Sequence, residues 1–227
     1  MMSMLSSAVG GTRRLVLDVG RHGLLFSPVR RALVEPAATA SNEFLRLLLS
    51  YYGERLWQAG LIAGSCGNLS ARLSRGNAIY ITPHATSKAS LRRSDIQRVS
   101  LDDGAPDPKR VSVEFPMHRA CYHAADDVGA VIHTHAAALT ALGLTDIRLE
   151  ELLPEVQPSL GKIVRIPHAP AGSAELAQAV GDAVADGATL LLLEHHGAVT
   201  VGESLGVACD RMELGELSAR AVLLARG

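Results

Sequence analysis

From residue 42 onward, apolar positions follow two alternating periods. Phe44, Leu48, Tyr51, Tyr52 and Leu56 recur at helical spacing. They predict a helix capped at Ser41 or Asn42, running to about Ala59 and ended by Gly60. A glycine-rich loop, residues 63–68, then leads into Leu69–Leu73, and residues 78–82 read as a strand stopped by Pro83. Asp102-Asp103-Gly104 reads as a turn. Phe115 to about Ala125 reads as a helix with Pro116 in its first turn.

Further on, Val128–His135 is a buried strand pattern and Ile163–Ile166 a short strand before Pro167. Ser173 caps a helix to about Ala185, with Leu176, Val180 and Val184 on one face. Thr189–Leu193 is nearly all apolar, as in a strand covered on both faces, and Ala198–Val201 reads as its neighbour. Ser204 opens a last helix to about Ala225. Strands alternating with helices predict one α/β domain over residues 41–227, with a covered central sheet. Residues 1–40 break the pattern: five arginines, at 13, 14, 21, 30 and 31, face only Asp18 and Glu35. That segment reads as a disordered or mis-started extension, with a targeting peptide as the alternative.

Composition narrows the function. Of 227 residues, 48% are hydrophobic, enough for a core without disulfide or metal staples. The net charge of −1 suggests neither a nucleic-acid surface nor an anionic-membrane surface. No apolar run approaches the roughly 20 residues that span a bilayer. Cys66, Cys121 and Cys209 form no C-x-x-C pair, which argues for a reducing, cytoplasmic setting and for three buried apolar thiols.

Nine histidines, many of them clustered, supply the first chemical signal. His133 and His135 end a predicted strand, and residues i and i+2 of a strand share a face. Glu194-His195-His196-Gly197 follows another apolar strand, and strand ends are where α/β sheets bind ligands. Three imidazoles from two strand ends match the open pattern of a catalytic zinc site. Glu114, just before a helix, reads either as a ligand and general base or as a helix-start acid favoured by the helix dipole.

Together these residues resemble the class II aldolase/adducin family over about residues 42–225. The matching pieces, in family order, are Gly67-Asn68-Leu69-Ser70, Ile81-Thr82-Pro83, Ser112-x-Glu114-x-Pro116-Met117-His118, His133-Thr134-His135 and His196-Gly197. Residues 169–177 look like the family's Gly-Thr-x-Glu-Leu helix start. The resemblance implies a single three-layer domain whose central sheet is mostly antiparallel or mixed. It implies a metal held by His133, His135, His196 and Glu114, normally zinc, with manganese or cobalt as substitutes. Glu114 would also be the acid/base, and the cation would stabilise an enediolate oxygen. The implied reaction is aldol cleavage of a small hydroxy-carbonyl compound, a sugar or sugar phosphate. Decarboxylation, epimerisation and dehydration are the sibling chemistries, and a non-catalytic adducin-like module is a further alternative.

Substrate contacts implied by the family fall on Gly67, Asn68, Thr82, His84, Ala85 and Ser112. Two departures touch phosphate binding: Ala85 stands where a glycine is usual, and Val113 replaces a serine. Lys88 reads either as a compensating point charge or as a solvated lysine. Family homotetramers place active sites at subunit interfaces and use tyrosines from a neighbouring subunit. Here Glu155 takes the place of the first tyrosine, as proton donor or as a subunit-contact carboxylate.

Overall fold

The computed structural model describes residues 42–74, 77–103, 106–107 and 109–226. The expectations for residues 1–40 and for a cap at Ser41 lie outside this range. In chain order the elements are α1 (Asn42–Gln58), β1 (Asn68–Arg72), β2 (Ala78–Ile81), β3 (Gln97–Ser100), α2 (Phe115–Ala124), β4 (Ala130–Thr134) and α3 (Ala137–Gly143). They continue with α4 (Leu149–Leu152), α5 (Gln157–Leu160), β5 (Lys162–Ile166), α6 (Ala174–Ala185), β6 (Ala188–Leu193), β7 (Gly197–Gly202) and α7 (Leu205–Leu224). Two 3-10 turns, Lys88–Ser90 and Arg93–Asp95, lie between β2 and β3.

One seven-stranded mixed sheet runs β3-β2-β1-β4-β7-β6-β5. Among the described strands only β5 and β6 pair in parallel. Their crossover is α6, which Ser173 starts by accepting a hydrogen bond from Leu176 N–H. Ser204 caps α7 in the same way through Val207 N–H.

Strand alternation splits the core into two layers. Ala130, Ile132, Leu190, Leu192 and Ala198 pack with the leucines of α1 and with residues of α3 and α7. Val131, Leu191, Leu193, Val199 and Val201 pack with Phe115, Met117 and Tyr122 of α2 and with Leu176 and Val180 of α6. The three-layer expectation is met. No described helix is long and apolar enough to cross a membrane.

Four elements escaped the hydrophobic pattern. β3 is a short edge strand with Val99 as its one buried side chain. α3, α4 and α5 have seven, four and four residues, too few for a helical period to register. One expectation fails outright: Cys121 and Cys209 are buried, but Cys66 is exposed, because it lies in the glycine-rich loop rather than under the sheet.

Candidate metal centre

The two central strands β4 and β7 bring the candidate ligands together. Their register opposes His133 to Val199 and Thr134 to Ala198. His133 therefore lies on the same sheet face as Val131, toward α2. His135 follows one residue past the strand end. His196 comes from the three-residue loop joining β6 to β7, whose closing pair is Leu193 with Gly197. His195 in that loop has a positive φ of 58°, and Gly197 lets β7 start directly against β4. A Cβ at residue 197 would overlap the Thr134 carbonyl oxygen and come within 3.1 Å of the His135 ring and 3.3 Å of the His133 ring. Glu114 reaches the same point from the N-cap position of α2, where its side chain makes no capping bond.

These four side chains form a tripod of rings beside one carboxylate. Ring centroids of His133, His135 and His196 lie 4.9, 4.8 and 5.1 Å apart, with planes inclined by 66°, 60° and 65°. His133 Nε2 is 3.0 Å from His135 Nε2 and 3.2 Å from Glu114 Oε2. His196 Nε2 is 3.2 Å from Glu114 Oε1. One ligand atom from each residue falls within 4.8 Å of all the others. A tetrahedral zinc site with bonds of about 2.0–2.1 Å has edges of about 3.3 Å, so the spacing fits a shared cation. His133 Nδ1 donates to Ala198 O at 3.0 Å, which turns the Nε2 lone pair toward the cluster. Glu114 Oε1 and His196 Nδ1 are buried without hydrogen-bond partners. Such orphans are costly unless something else satisfies them, and a divalent cation does so for the carboxylate oxygen.

Electrostatics keep the set ready to bind metal. Burial pushes the Glu114 carboxyl upward, but the adjacent His133 and His196 rings and the Asn68 amide overcome it and hold the group well below the usual range. Burial, reinforced by the charges of His133 and His196, lowers His135 to about 4, so its imidazole is neutral at pH 7.

The sequence profile of the class II aldolase and adducin N-terminal domain matches residues 48–223. The chain belongs to that family. It is 36% identical over 159 residues to an L-fuculose phosphate aldolase of Methanococcus maripaludis, covering 70% of this chain and 85% of the relative. A 3-oxo-tetronate 4-phosphate decarboxylase of Pectobacterium atrosepticum is 29% identical over 193 residues, covering 83% and 88%. The crystal structure of L-fuculose-1-phosphate aldolase from Thermus thermophilus superposes with a TM-score of 0.71 at 31% identity, covering 80% of this chain and 94% of that one.

In this class II aldolase/adducin chain Gly67, Asn68 and Ser112, three of the residues expected to contact a substrate, lie beside the candidate ligands. Asn68 lies directly opposite His133 in the β1–β4 register. Its Nδ2 donates to Glu114 Oε2 at 2.8 Å and to Ser112 Oγ at 3.0 Å. Gly67 has φ +70°, and a Cβ there would meet the His133 carbonyl oxygen at 2.8 Å. Thr82 is fully buried, and its hydroxyl accepts from Leu69 N–H, tying β2 to β1. A bridge between Pro83 and Val111 and a bond from His84 N–H to Arg110 O lay the next loop alongside the segment leading to Ser112. His84 and Ala85 are exposed in that loop, and Ala85 keeps a left-handed backbone at φ 48°.

Two other residues fall differently. Lys88 is not solvated: it is 1% exposed, and its Nζ donates to Ser65 O at 3.0 Å and Thr86 O at 2.9 Å, clamping the glycine-rich loop to residues 84–87. Burial lowers this amine to about 8. Glu155 is exposed in the turn between α4 and α5 and is not part of the ligand cluster. His118 gained no role from spacing, although it follows Glu114 by one helical turn, the one signal that could have marked it.

Proposed function

We propose that the chain is a zinc-dependent lyase that makes or breaks a carbon–carbon bond next to the carbonyl of a small hydroxy-carbonyl compound, with a sugar phosphate as substrate. The supporting observation is the complete cluster of three convergent imidazoles and one ionised carboxylate. A divalent cation held there supplies Lewis-acid stabilisation of negative charge developing on substrate oxygen. His133, His135 and His196 hold that charge at the rim of the sheet, and the Ala198 carbonyl fixes the His133 ring. Glu114 keeps Oε2 on the Asn68 amide, while Oε1 has no hydrogen bond to lose. A carboxylate so placed takes a proton from the substrate in one direction and returns it in the other. The glycine-rich loop and Ala85 supply backbone N–H groups and small side chains for the phosphate, with the exposed His84 imidazole beside them.

A second reading, decarboxylation of a phosphorylated 3-oxo acid, is favoured by the likeness to the Pectobacterium enzyme. Both reactions leave a carbanion beside a carbonyl. A non-catalytic module is disfavoured by the intact cluster. The proposal extends to a cytoplasmic homotetramer in which Glu155, exposed on each copy, serves a neighbour's site as proton donor.

The deciding experiment incubates zinc-loaded protein with ketose 1-phosphates and with phosphorylated 3-oxo acids, and follows aldehyde and carbon dioxide separately. Aldehyde release that a chelator abolishes supports the lyase reading, carbon dioxide transfers it to the second, and absence of stoichiometric metal defeats both. Glu114→Gln is expected to keep the fold and lower kcat by about a hundredfold or more. Full activity in that variant removes Glu114 from the mechanism.

A further inference from the structure

Behind Glu114 lies a buried chain of polar groups that the proposed chemistry leaves unused. His118 is fully buried one turn into α2. Its Nδ1 is 2.6 Å from Ser70 Oγ, which is 2.8 Å from the Tyr122 hydroxyl, and its Nε2 rests against Asn68 Oδ1. Asn68 connects this chain to Glu114 and Ser112.

The direction of every hydrogen follows from the charged end. Next to an anionic carboxylate, Asn68 must present its NH2 and not its oxygen, because an oxygen there would face Oε2 lone pair to lone pair. Both amide hydrogens then go to Glu114 Oε2 and Ser112 Oγ, which leaves none for a substrate. The amide oxygen faces His118, so the imidazole carries its proton on Nε2. Its Nδ1 accepts from Ser70, and the single Ser70 hydrogen is thereby used. Tyr122 must donate to Ser70. All the donors in the run from Tyr122 through Ser70, His118 and Asn68 point toward Glu114, and aligned bonds of this kind polarise one another.

We propose that His118 is a positioning residue: by donating from Nε2 to the Asn68 amide oxygen it prevents the amide from flipping and holds Glu114 by Oε2, leaving Oε1 as the oxygen that acts. Asn68 is thereby assigned, through its side chain, to the carboxylate and not to the substrate. The kinetic consequence rests on the lyase reading above, whereas the hydrogen-bond direction does not.

The test therefore has one arm without turnover. Nitrogen NMR of protein labelled in its histidine rings, at neutral pH, is expected to show His118 as the neutral Nε2–H tautomer. An Nδ1–H tautomer overturns the proposal, whether or not the protein turns over any substrate. The second arm is a double-mutant cycle on the zinc-loaded protein. His118→Leu is expected to lower kcat by about tenfold or more with KM changed by less than about twofold, the scale seen for partners that orient metal-site groups. His118→Gln, whose amide keeps a donor near the Nε2 position, is expected to recover most of that loss. On an Asn68→Ala background His118→Leu should cost less than about threefold, since the two residues act as one unit. Equal losses in both backgrounds, with unchanged zinc content, overturn the positioning role. If His118→Leu does not fold, His118→Gln and the tautomer decide the matter. A wild-type protein without lyase activity but with the Nε2–H tautomer fails the functional reading while upholding the hydrogen-bond assignment.

Discussion

Gly197 has no side chain, yet the centre depends on it. A methyl group there overlaps the Thr134 carbonyl and presses on two ligand rings, and the obstacle is backbone, which cannot swing away. Gly197→Ala is expected to weaken divalent-metal binding by about tenfold or more and to lower the melting temperature, measured by metal titration and calorimetry. Ala85 is the opposite case. It holds a left-handed backbone where the family usually has glycine, and this conformation costs an L-residue roughly 1–2 kcal/mol. Ala85→Gly is expected to raise stability in urea by up to about 1 kcal/mol, part of the relief being returned as unfolded-chain entropy. A lower midpoint would show that the loop carries no strain. The candidate ligands stood out in the sequence because imidazole and carboxylate announce their chemistry and because His133 and His135 are spaced i, i+2 at a strand end. Lys88 and Cys66 were not, because burial in a loop is decided by which remote segment folds over it, and no local period records that.

At the scale of elements, α3 shows what a pattern cannot carry. It begins two residues after His135, and its N-cap residue, Ala136, has no side chain able to cap. The cap comes from α7 instead: Glu216 Oε1 accepts from Ala138 N–H at 3.0 Å and Oε2 from Leu139 N–H at 2.9 Å. This carboxylate lies 78 residues from the first amide it caps, so no capping motif is visible in the chain. Glu216→Ala leaves two buried amides unsatisfied and is expected to cost about 2 kcal/mol or more. Faster hydrogen exchange at Ala138 and Leu139 would locate the damage, and unchanged protection there would disprove the capping role. Where serine caps its own helix, as Ser173 and Ser204 do, the helix starts were read correctly from sequence.

For the whole molecule, acid sensitivity is set largely inside this centre. Burial pushes His118 down to about 3, with the charge of His133 acting in the same direction and Glu114 opposing it. In the unfolded chain the imidazole takes up a proton near pH 6.5, while in the folded protein it does not do so until about pH 3. The unfolded state therefore binds more protons throughout that window, and stability falls as pH falls through it. Metal-free protein is expected to lose on the order of a few kcal/mol from this group between pH 6.5 and 3, read as urea midpoints against pH. His118→Gln should flatten that dependence, and an unchanged slope would place the acid sensitivity elsewhere. The strand pairing that builds the site joins segments far apart in the chain: His133 is opposite Val199 on one side and Asn68 on the other. During synthesis on a ribosome, Glu114, His133 and His135 emerge well before His196, and the β7 strand that closes the tripod comes later still. A cation meeting the unfinished chain finds an incomplete set of ligands with no sheet to hold them, so tight loading has to wait until the last third of the polypeptide has been made.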